Sequence, residues 1–291
     1  MPELPEVETV CRGLNAVTPN QTIVGGKVLR ESTIAHPVSV GDFIPQLQDS
    51  SIAQWHRRGK YLLAKLVKRQ SDSGWLGVHL RMTGQLLWCQ SSDPLQKHTR
   101  VRLFFAHNSQ VPQELRFVDQ RTFGKMWWVP PDVEPDRIIS GLQKLGPEPF
   151  GKEFSPDYFA QQLYKRKKSI KTALLDQSIV AGVGNIYADE ALFLSRIPPT
   201  QLCSQLTLEE IDRLRTALIQ VLQDSIQAGG TTFSDFLNVQ GINGNYGATA
   251  WVYNREKQPC RVCQTPIRRV KLGGRSSHFC PQCQPDCPPN A

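Results

Sequence analysis

A chain of 291 residues is too long for one small core, so two or three domains of ordinary size are expected, and its 40% aliphatic, aromatic and cysteine content excludes a disordered chain. The 34 Lys and Arg outnumber the 26 Asp and Glu, and the formal charge of +8 favours a polyanionic partner. No apolar run is long enough to span a bilayer and the acidic opening lacks the basic and apolar regions of a signal peptide, so the sequence reads as cytosolic with no membrane role.

The chain opens MPELPEVETV. Pro5 suits the first turn of a helix, Glu6 and Glu8 complement its positive end, and Val7, Val10 and Leu14 supply one apolar face. A short buried helix explains those residues but leaves Pro2 and Glu3 without a reason. From residue 52 to 129 the runs YLLAKLV, WLGVHL, QLLWC, VRLFFA, ELRFVD and KMWWV are separated by turn residues, which predicts an antiparallel sandwich or barrel.

VPPDVEPD and LGPEPFG then mark a boundary. Beyond it the period changes, and SPDYFAQQLYKRKKSIKTALLD, NIYADEALFLSRI and TLEEIDRLRTALIQVLQDSIQAGG read as helices. The last begins on a capping box of Thr207 and Glu210, buries Ile211, Leu214, Leu218 and Val221, and stops at Gly229 and Gly230. NVQGINGNY has too little apolar content to pack and reads as a mobile loop, either functional or merely a connector.

Five of the 8 cysteines fall in the last 32 residues, which argues against a disulfide framework for the whole chain. Cys260 and Cys263, then a sixteen-residue spacer, then Cys280 and Cys283, form two Cys-x2-Cys knuckles joined by a predicted hairpin. Four thiolates can close a tetrahedral shell, so one structural Zn2+ with no open coordination position is expected. Four free or redox cysteines are the alternative. The spacer carries Arg268, Arg269, Lys271 and Arg275, a positive tip or a solvated surface; Cys11, Cys89 and Cys203 fall on apolar faces, and Cys287 has no assigned role.

Four separated motifs, PELPE, HLRMTG, GVGNIYADE and the terminal four-cysteine ribbon with Arg275, together resemble the formamidopyrimidine-DNA glycosylase family, bacterial enzymes that excise oxidised purines. The resemblance implies an α+β multidomain fold: an N-terminal antiparallel β-sandwich with a leading helix, a helix-two-turn-helix domain and a C-terminal zinc ribbon. DNA would lie in the cleft between the halves. The expected boundaries are a sandwich at 2–135, a linker at 136–152, the helical domain at 153–237, a lesion-recognition loop and connector at 238–254, a zinc finger at 255–284 and a tail at 285–291.

The resemblance also implies that Met1 is removed and that Pro2 supplies a secondary-amine nucleophile, since an α-amino group with a reference pKa of about 8 is partly unprotonated at neutral pH. It would attack C1′ of the damaged nucleotide and form an iminium, and β- and δ-elimination would follow. Glu3 is then the general acid at the sugar, Glu6 a supporting residue, Lys60 the proton donor in β-elimination and Arg275 the clamp on the phosphates flanking the lesion.

An everted base leaves a gap in the stack that must be filled. By the same resemblance Met82 fills the void, Arg121 pairs with the orphaned cytosine and Phe123 wedges the opposite strand, although periodicity alone would place Met82 and Phe123 in the core. His98, Arg166, Lys171 and Asn185 would contact the DNA backbone. The implied partner is damaged double-stranded DNA, bound by a monomer in the bacterial cytosol or nucleoid. An endonuclease VIII-like enzyme for oxidised pyrimidines and a non-catalytic zinc-ribbon DNA-binding protein are the competing readings.

Overall fold

A computed structural model describes residues 1–106, 111–231, 238–242 and 244–285; Cys287 and nearly all of the expected tail lie outside them. The chain divides into two compact units, Met1–Lys144 with Ala228–Asn245, and Leu145–Gln227 with Tyr246–Ala291. Among the described residues no helix is long and apolar enough to cross a membrane.

The first unit opens with helix α1 (Leu4–Val17), which buries Leu4, Val7, Val10, Cys11 and Leu14 as its apolar spacing predicts. Strands β1 (Ile23–Val28) and β2 (Ile34–His36) and the short helix α2 (Phe43–Leu47) follow. Then come β3 (Ser51–Arg58), β4 (Tyr61–Lys68), β5 (Ser71–His79), β6 (Gly84–Gln90), β7 (Thr99–Phe105), β8 (Gln113–Asp119) and β9 (Lys125–Val129), before two single-turn helices, α3 (Pro135–Ile138) and α4 (Ser140–Gln143). The strands form a five-stranded sheet ordered β2-β9-β5-β4-β3 and a four-stranded sheet ordered β1-β7-β8-β6. Trp55, Leu62, Leu66 and Val78 of the first sheet share one core with Leu86, Val101, Leu103 and Phe117 of the second, which makes the unit a sandwich.

All six runs picked out by spacing are strands, but the sandwich is not wholly antiparallel, because β2 pairs with β9 in parallel. Three strands were not legible. β1 carries Gly25 and Gly26, and Gly26 is needed because a Cβ there would lie 2.5 Å from the Arg102 carbonyl. β2 is only three residues long. In β3 a register shift between Ile52 and Gln54 puts the buried Ile52 and Trp55 three apart, which destroys the period-two signal.

NVQGINGNY also differs from expectation. Val239 is fully buried against the sandwich core; its carbonyl accepts the Trp88 amide at 3.0 Å, and its side chain sits where a Cβ on Gly13 of α1 would collide, 2.9 Å away. The Asn238 carboxamide oxygen accepts the amides of Gln240 (3.0 Å) and Ile242 (2.9 Å), so the described part, 238–242, is a tight turn pinned by one side chain rather than a loose connector.

The second unit holds α5 (Pro156–Tyr164), α6 (Ile170–Leu174), α7 (Asn185–Leu194), α8 (Leu208–Gln227) and the hairpin β10 (Arg268–Leu272) and β11 (Arg275–Phe279). SPDYFAQQLYKRKKSIKTALLD is two helices rather than one. The cations Lys165 to Lys168 suit the negative end of α5, and the Ser169 hydroxyl, accepting the Thr172 amide, starts α6 afresh. α8 begins on the expected capping box, with Thr207 N to Glu210 at 2.8 Å and Glu210 N to Thr207 at 3.2 Å, and buries the four predicted apolar residues.

Candidate active site

In the first unit, Pro2, Glu3 and Glu6 are all buried at the start of α1, whereas Met1 is 41% exposed. Glu3 caps the helix, and the Glu6 carboxylate reaches back to accept the Glu3 amide at 2.8 Å, a reciprocal capping box. The other Glu6 oxygen accepts the Thr231 amide at 2.8 Å. Thr231 bridges to Asn245, so one carboxylate links the segment beside Pro2 to the neck of the chain between 231 and 245. The Glu3 carboxyl, one residue from Pro2, is in turn held at the helix N-terminus by the Glu6 amide, a rigid place for proton-transfer chemistry.

Lys60 is 7% exposed in the two-residue turn joining β3 to β4, where Gly59 adopts a φ of 55°. Arg57, three residues earlier, donates to Glu8 of α1 at 2.8 Å and ties that turn's strand to the helix. Burial works against ionising Glu8, but Arg57 and Arg12 together hold its carboxyl below the usual range. Beside Lys60, His79 is buried with its Nδ1 accepting the Arg81 amide at 3.0 Å. Burial, then the charges of Arg81 and Lys60, push the imidazole down to about 3, so the ring is neutral at neutral pH.

Met82, Arg121 and Phe123 sit on turns at the ends of strands of this unit. Phe123 is 50% exposed and Met82 half-buried, so neither packs in the core as periodicity alone would have it. The exposed Arg121 guanidinium lies over the Phe123 ring, 5.0 Å from its centroid, and keeps an apolar side chain and a hydrogen-bonding fork together on the surface. His98 is half-buried; its Nδ1 faces the Arg100 guanidinium at 3.2 Å, and because arginine only donates, the proton of a neutral ring belongs on Nε2.

The second unit is organised by α7, whose residues from Ile186 to Phe193 are all buried. The carboxamide of Asn185 donates to the Ser276 carbonyl at 2.9 Å, next to Arg275, which stands exposed at the first position of β11 beside the Gly273–Gly274 turn. Lys171 corrects the sequence expectation. It is fully buried, with its ammonium 2.6 Å from Asp189 and 2.7 Å from the Asn185 carbonyl, and is in no position to touch a phosphate; it supports Asn185 from behind. Arg166 is half-buried and folds back on the carbonyl of Gln162 at the end of α5.

Asp189 also accepts from the His278 amide (2.9 Å) and ring (3.2 Å) on β11. Glu190 accepts the amides of Trp251, Val252 and Tyr253 at 2.7 to 3.0 Å; burial raises its carboxyl even so, against the pull of those three donors. Two adjacent buried acids on an apolar helix thus hold the hairpin and the connector. Both lie within GVGNIYADE, and the signal for them was charge in an otherwise buried run.

The Sγ atoms of Cys260, Cys263, Cys280 and Cys283 lie within 4.8 Å of one another, with separations of 3.9 Å (260 to 283), 3.4 Å (263 to 280) and 3.5 Å (263 to 283). A tetrahedron with Zn–S bonds of about 2.3 Å has S···S edges of about 3.8 Å. The donor set therefore fits a zinc ion. Hydrogen bonds from Thr265 pull the Cys263 thiol down to about 6, while burial and neighbouring thiols raise Cys280 and Cys283, a conflict that a bound divalent cation removes. Four thiolates complete the shell, so the metal here is structural.

Three family models match this chain: the formamidopyrimidine-DNA glycosylase N-terminal domain over residues 1–126, the formamidopyrimidine-DNA glycosylase H2TH domain over 145–236, and a zinc finger found in FPG and IleRS over 257–285. The chain belongs to the formamidopyrimidine-DNA glycosylase family. Family members named formamidopyrimidine-DNA glycosylase from Acaryochloris marina and Trichodesmium erythraeum are 65% and 61% identical to it, each alignment covering 98% of this chain and 100% of the relative. Among solved family structures, a Lactococcus lactis FPG mutant in complex with Fapy-dG containing DNA superposes with a TM-score of 0.88 at 32% identity, covering 98% of this chain and 100% of that one. The MutM complex with carbocyclic 8-oxo-G containing DNA gives 0.87 at 32% identity with the same coverage.

Proposed function

We propose that this chain is a base-excision-repair glycosylase and abasic-site lyase that removes oxidised purines, 8-oxoguanine and formamidopyrimidines, from duplex DNA, acting as a monomer in the bacterial cytosol or nucleoid. The observation that carries the reading is the start of α1, where Pro2 and Glu3 are buried beside a Glu6 carboxylate that braces them. The reciprocal capping box explains Glu3 and Glu6 as helix residues but does not call for a buried proline ahead of them. A nucleophile made by removing Met1 does. The complexes that relatives form with Fapy-dG and 8-oxo-G containing DNA support the same lesion class.

In this reading the lone pair of the Pro2 nitrogen forms a bond to C1′ as the glycosidic electron pair departs with the base, which takes up a proton, and the nitrogen then gives up its own N–H proton. Glu3 supplies a proton at the sugar, whose ring opens to an iminium. The positive nitrogen then draws electrons from C2′; its proton leaves, the 3′ phosphate is expelled, and a second elimination releases the 5′ phosphate. Lys60, in its buried turn, handles protons in the first elimination. Arg275 holds the flanking phosphates with the planar fork that suits them. His98, Arg166 and Asn185 serve the backbone, and Met82, Arg121 and Phe123 take the place of the everted base.

Borohydride reduction during turnover of lesion-containing duplex, followed by mass spectrometry of the N-terminal peptide, tests the mechanism. A deoxyribose adduct on Pro2 is expected, lost in Pro2→Gly, and base removal should collapse in Glu3→Gln. Trapping at a lysine, full activity in both variants, or full activity with Met1 retained would refute it. Faster excision of thymine glycol than of 8-oxoguanine opposite cytosine would move the chain to the endonuclease VIII-like reading.

A further inference from the structure

We infer that Asp119 is the positioning residue that fixes the void-filling groups at the spacing needed to enter a duplex. The inference rests on the reading of Met82, Arg121 and Phe123 as the residues that replace the everted base.

Asp119 ends β8 and is fully buried, yet among the described residues its side chain forms no ion pair. One carboxylate oxygen accepts the Thr83 hydroxyl, and the other accepts the Gly124 amide at 2.7 Å. The Thr83 oxygen in turn accepts the Arg121 amide at 3.0 Å. One carboxylate and one hydroxyl therefore lock the turn carrying Met82 to the turn carrying Arg121 and Phe123. The main chain of Asp119 adds a third segment: its amide donates to the His98 carbonyl at 2.9 Å, and its carbonyl accepts Arg100 Nε at 2.8 Å. Each polar group of this residue goes to a segment bearing a proposed DNA contact.

The two turns need such a clamp. Arg81 and Thr122, which flank Met82 and separate Arg121 from Phe123, both adopt left-handed backbone, with φ of 55° and 59°. A non-glycine residue there is unfavourable and persists only where its surroundings over-determine it. At Gly124 a Cβ would lie 2.4 Å from the Phe117 ring and 3.1 Å from the Asp119 carboxylate, so that turn is shaped to sit directly on the acid. Exposing a phenylalanine contributes nothing to the stability of the free protein. A buried acid spent on holding such turns serves what their tips will contact.

The test compares Asp119→Ala, Asp119→Asn, Thr83→Val, Phe123→Ala and the double variant Asp119→Ala/Phe123→Ala, with melting temperature and zinc content recorded for each. Single-turnover excision of 8-oxoguanine is measured in an intact duplex opposite cytosine and in a duplex lacking the opposite nucleotide, with 2-aminopurine in the opposite strand reporting the wedge. Asp119→Ala and Thr83→Val are expected to lose roughly 10- to 100-fold on the intact duplex, the scale of a misplacement near 1 Å. They should lose much less on the gapped one, and the 2-aminopurine signal should disappear. Asp119→Asn keeps an acceptor for Gly124 and a donor for the Thr83 oxygen, so it should recover most of the rate. Because Asp119 also holds Met82 and Arg121, the double variant should be slower than Phe123→Ala, but by less than the product of the two single losses.

Equal losses on both substrates, failure of the Asn variant to recover, or an unimpaired Thr83→Val would overturn the inference. If Asp119→Ala does not fold, Thr83→Val decides. If Phe123→Ala is itself unimpaired on the intact duplex, the reading of the void-filling residues fails, an outcome distinct from a normal Asp119→Ala beside a crippled Phe123→Ala.

Discussion

His79 shows how a residue acquires its state from the fold. Its ring packs edge-on against Tyr61 with centroids 4.5 Å apart, and its Nδ1 is committed to the Arg81 amide, so a proton on that nitrogen would meet a donor. Held at about 3, it is neutral in the native protein, whereas an unfolded histidine titrates at about 6.5. Above pH 6.5 both states are neutral and this contribution is complete. As the pH falls below that value the unfolded chain takes up the proton first, and stability declines by about 1.4 kcal/mol per pH unit until the folded pKa is reached. His79→Gln, which retains an acceptor for Arg81, should flatten the acid limb of a melting-temperature profile between about pH 4 and pH 6.5. An unchanged slope would mean that other groups carry it. Lys171 carries the same lesson: in KRKKSIK it reads as one more cation for DNA, but its place on α6 turns it inward to Asp189, where removing one partner would strand a buried charge.

At the level of elements, what could be read from sequence was what repeats locally. The α8 capping box and its apolar face, the α1 face and the strands from β4 onward all announce themselves by short-range spacing. The bulged β3, the glycine-bearing β1 and the break between α5 and α6 do not, because a register shift, a close backbone approach and a competing serine cap each interrupt the period. The turn at 238–242 is the sharpest case: one valine in a Gly- and Asn-rich run suffices once α1 leaves a glycine-lined place for it. Val239→Ala should therefore destabilise the sandwich by about 2 kcal/mol, the transfer of two methyl groups plus a small cavity, as read from chemical denaturation midpoints. A change within error would mean that the turn is held by Asn238 alone.

Across the whole molecule, the residues on which the proposed chemistry draws come from both units, so the metal that orders one of them matters to an activity whose nucleophile lies in the other. Zinc removal by a strong chelator, or Cys280→Ser, should unfold the ribbon, since binding energy at such sites is folding energy. DNA affinity should fall with it, while the sandwich, which has its own core, keeps its melting transition. Loss of both transitions together would contradict this separation. Binding should also weaken steeply with salt as counterions return to the phosphates, and Arg275→Ala should reduce the slope of log K against log[salt] by about 1.

Sequence by itself determined the zinc ligands, the helix faces, six of the strands and the family, because each rests on spacing along the chain that chemistry or packing demands locally. Only the tertiary structure decided which polar residues would be buried and against what. Asp119, His79, Lys171 and the Asp189–Glu190 pair each look like ordinary members of a motif until strands and helices distant in sequence close around them. A buried charge or hydrogen bond takes its strength from the removal of water, and that depends on neighbours no local pattern records.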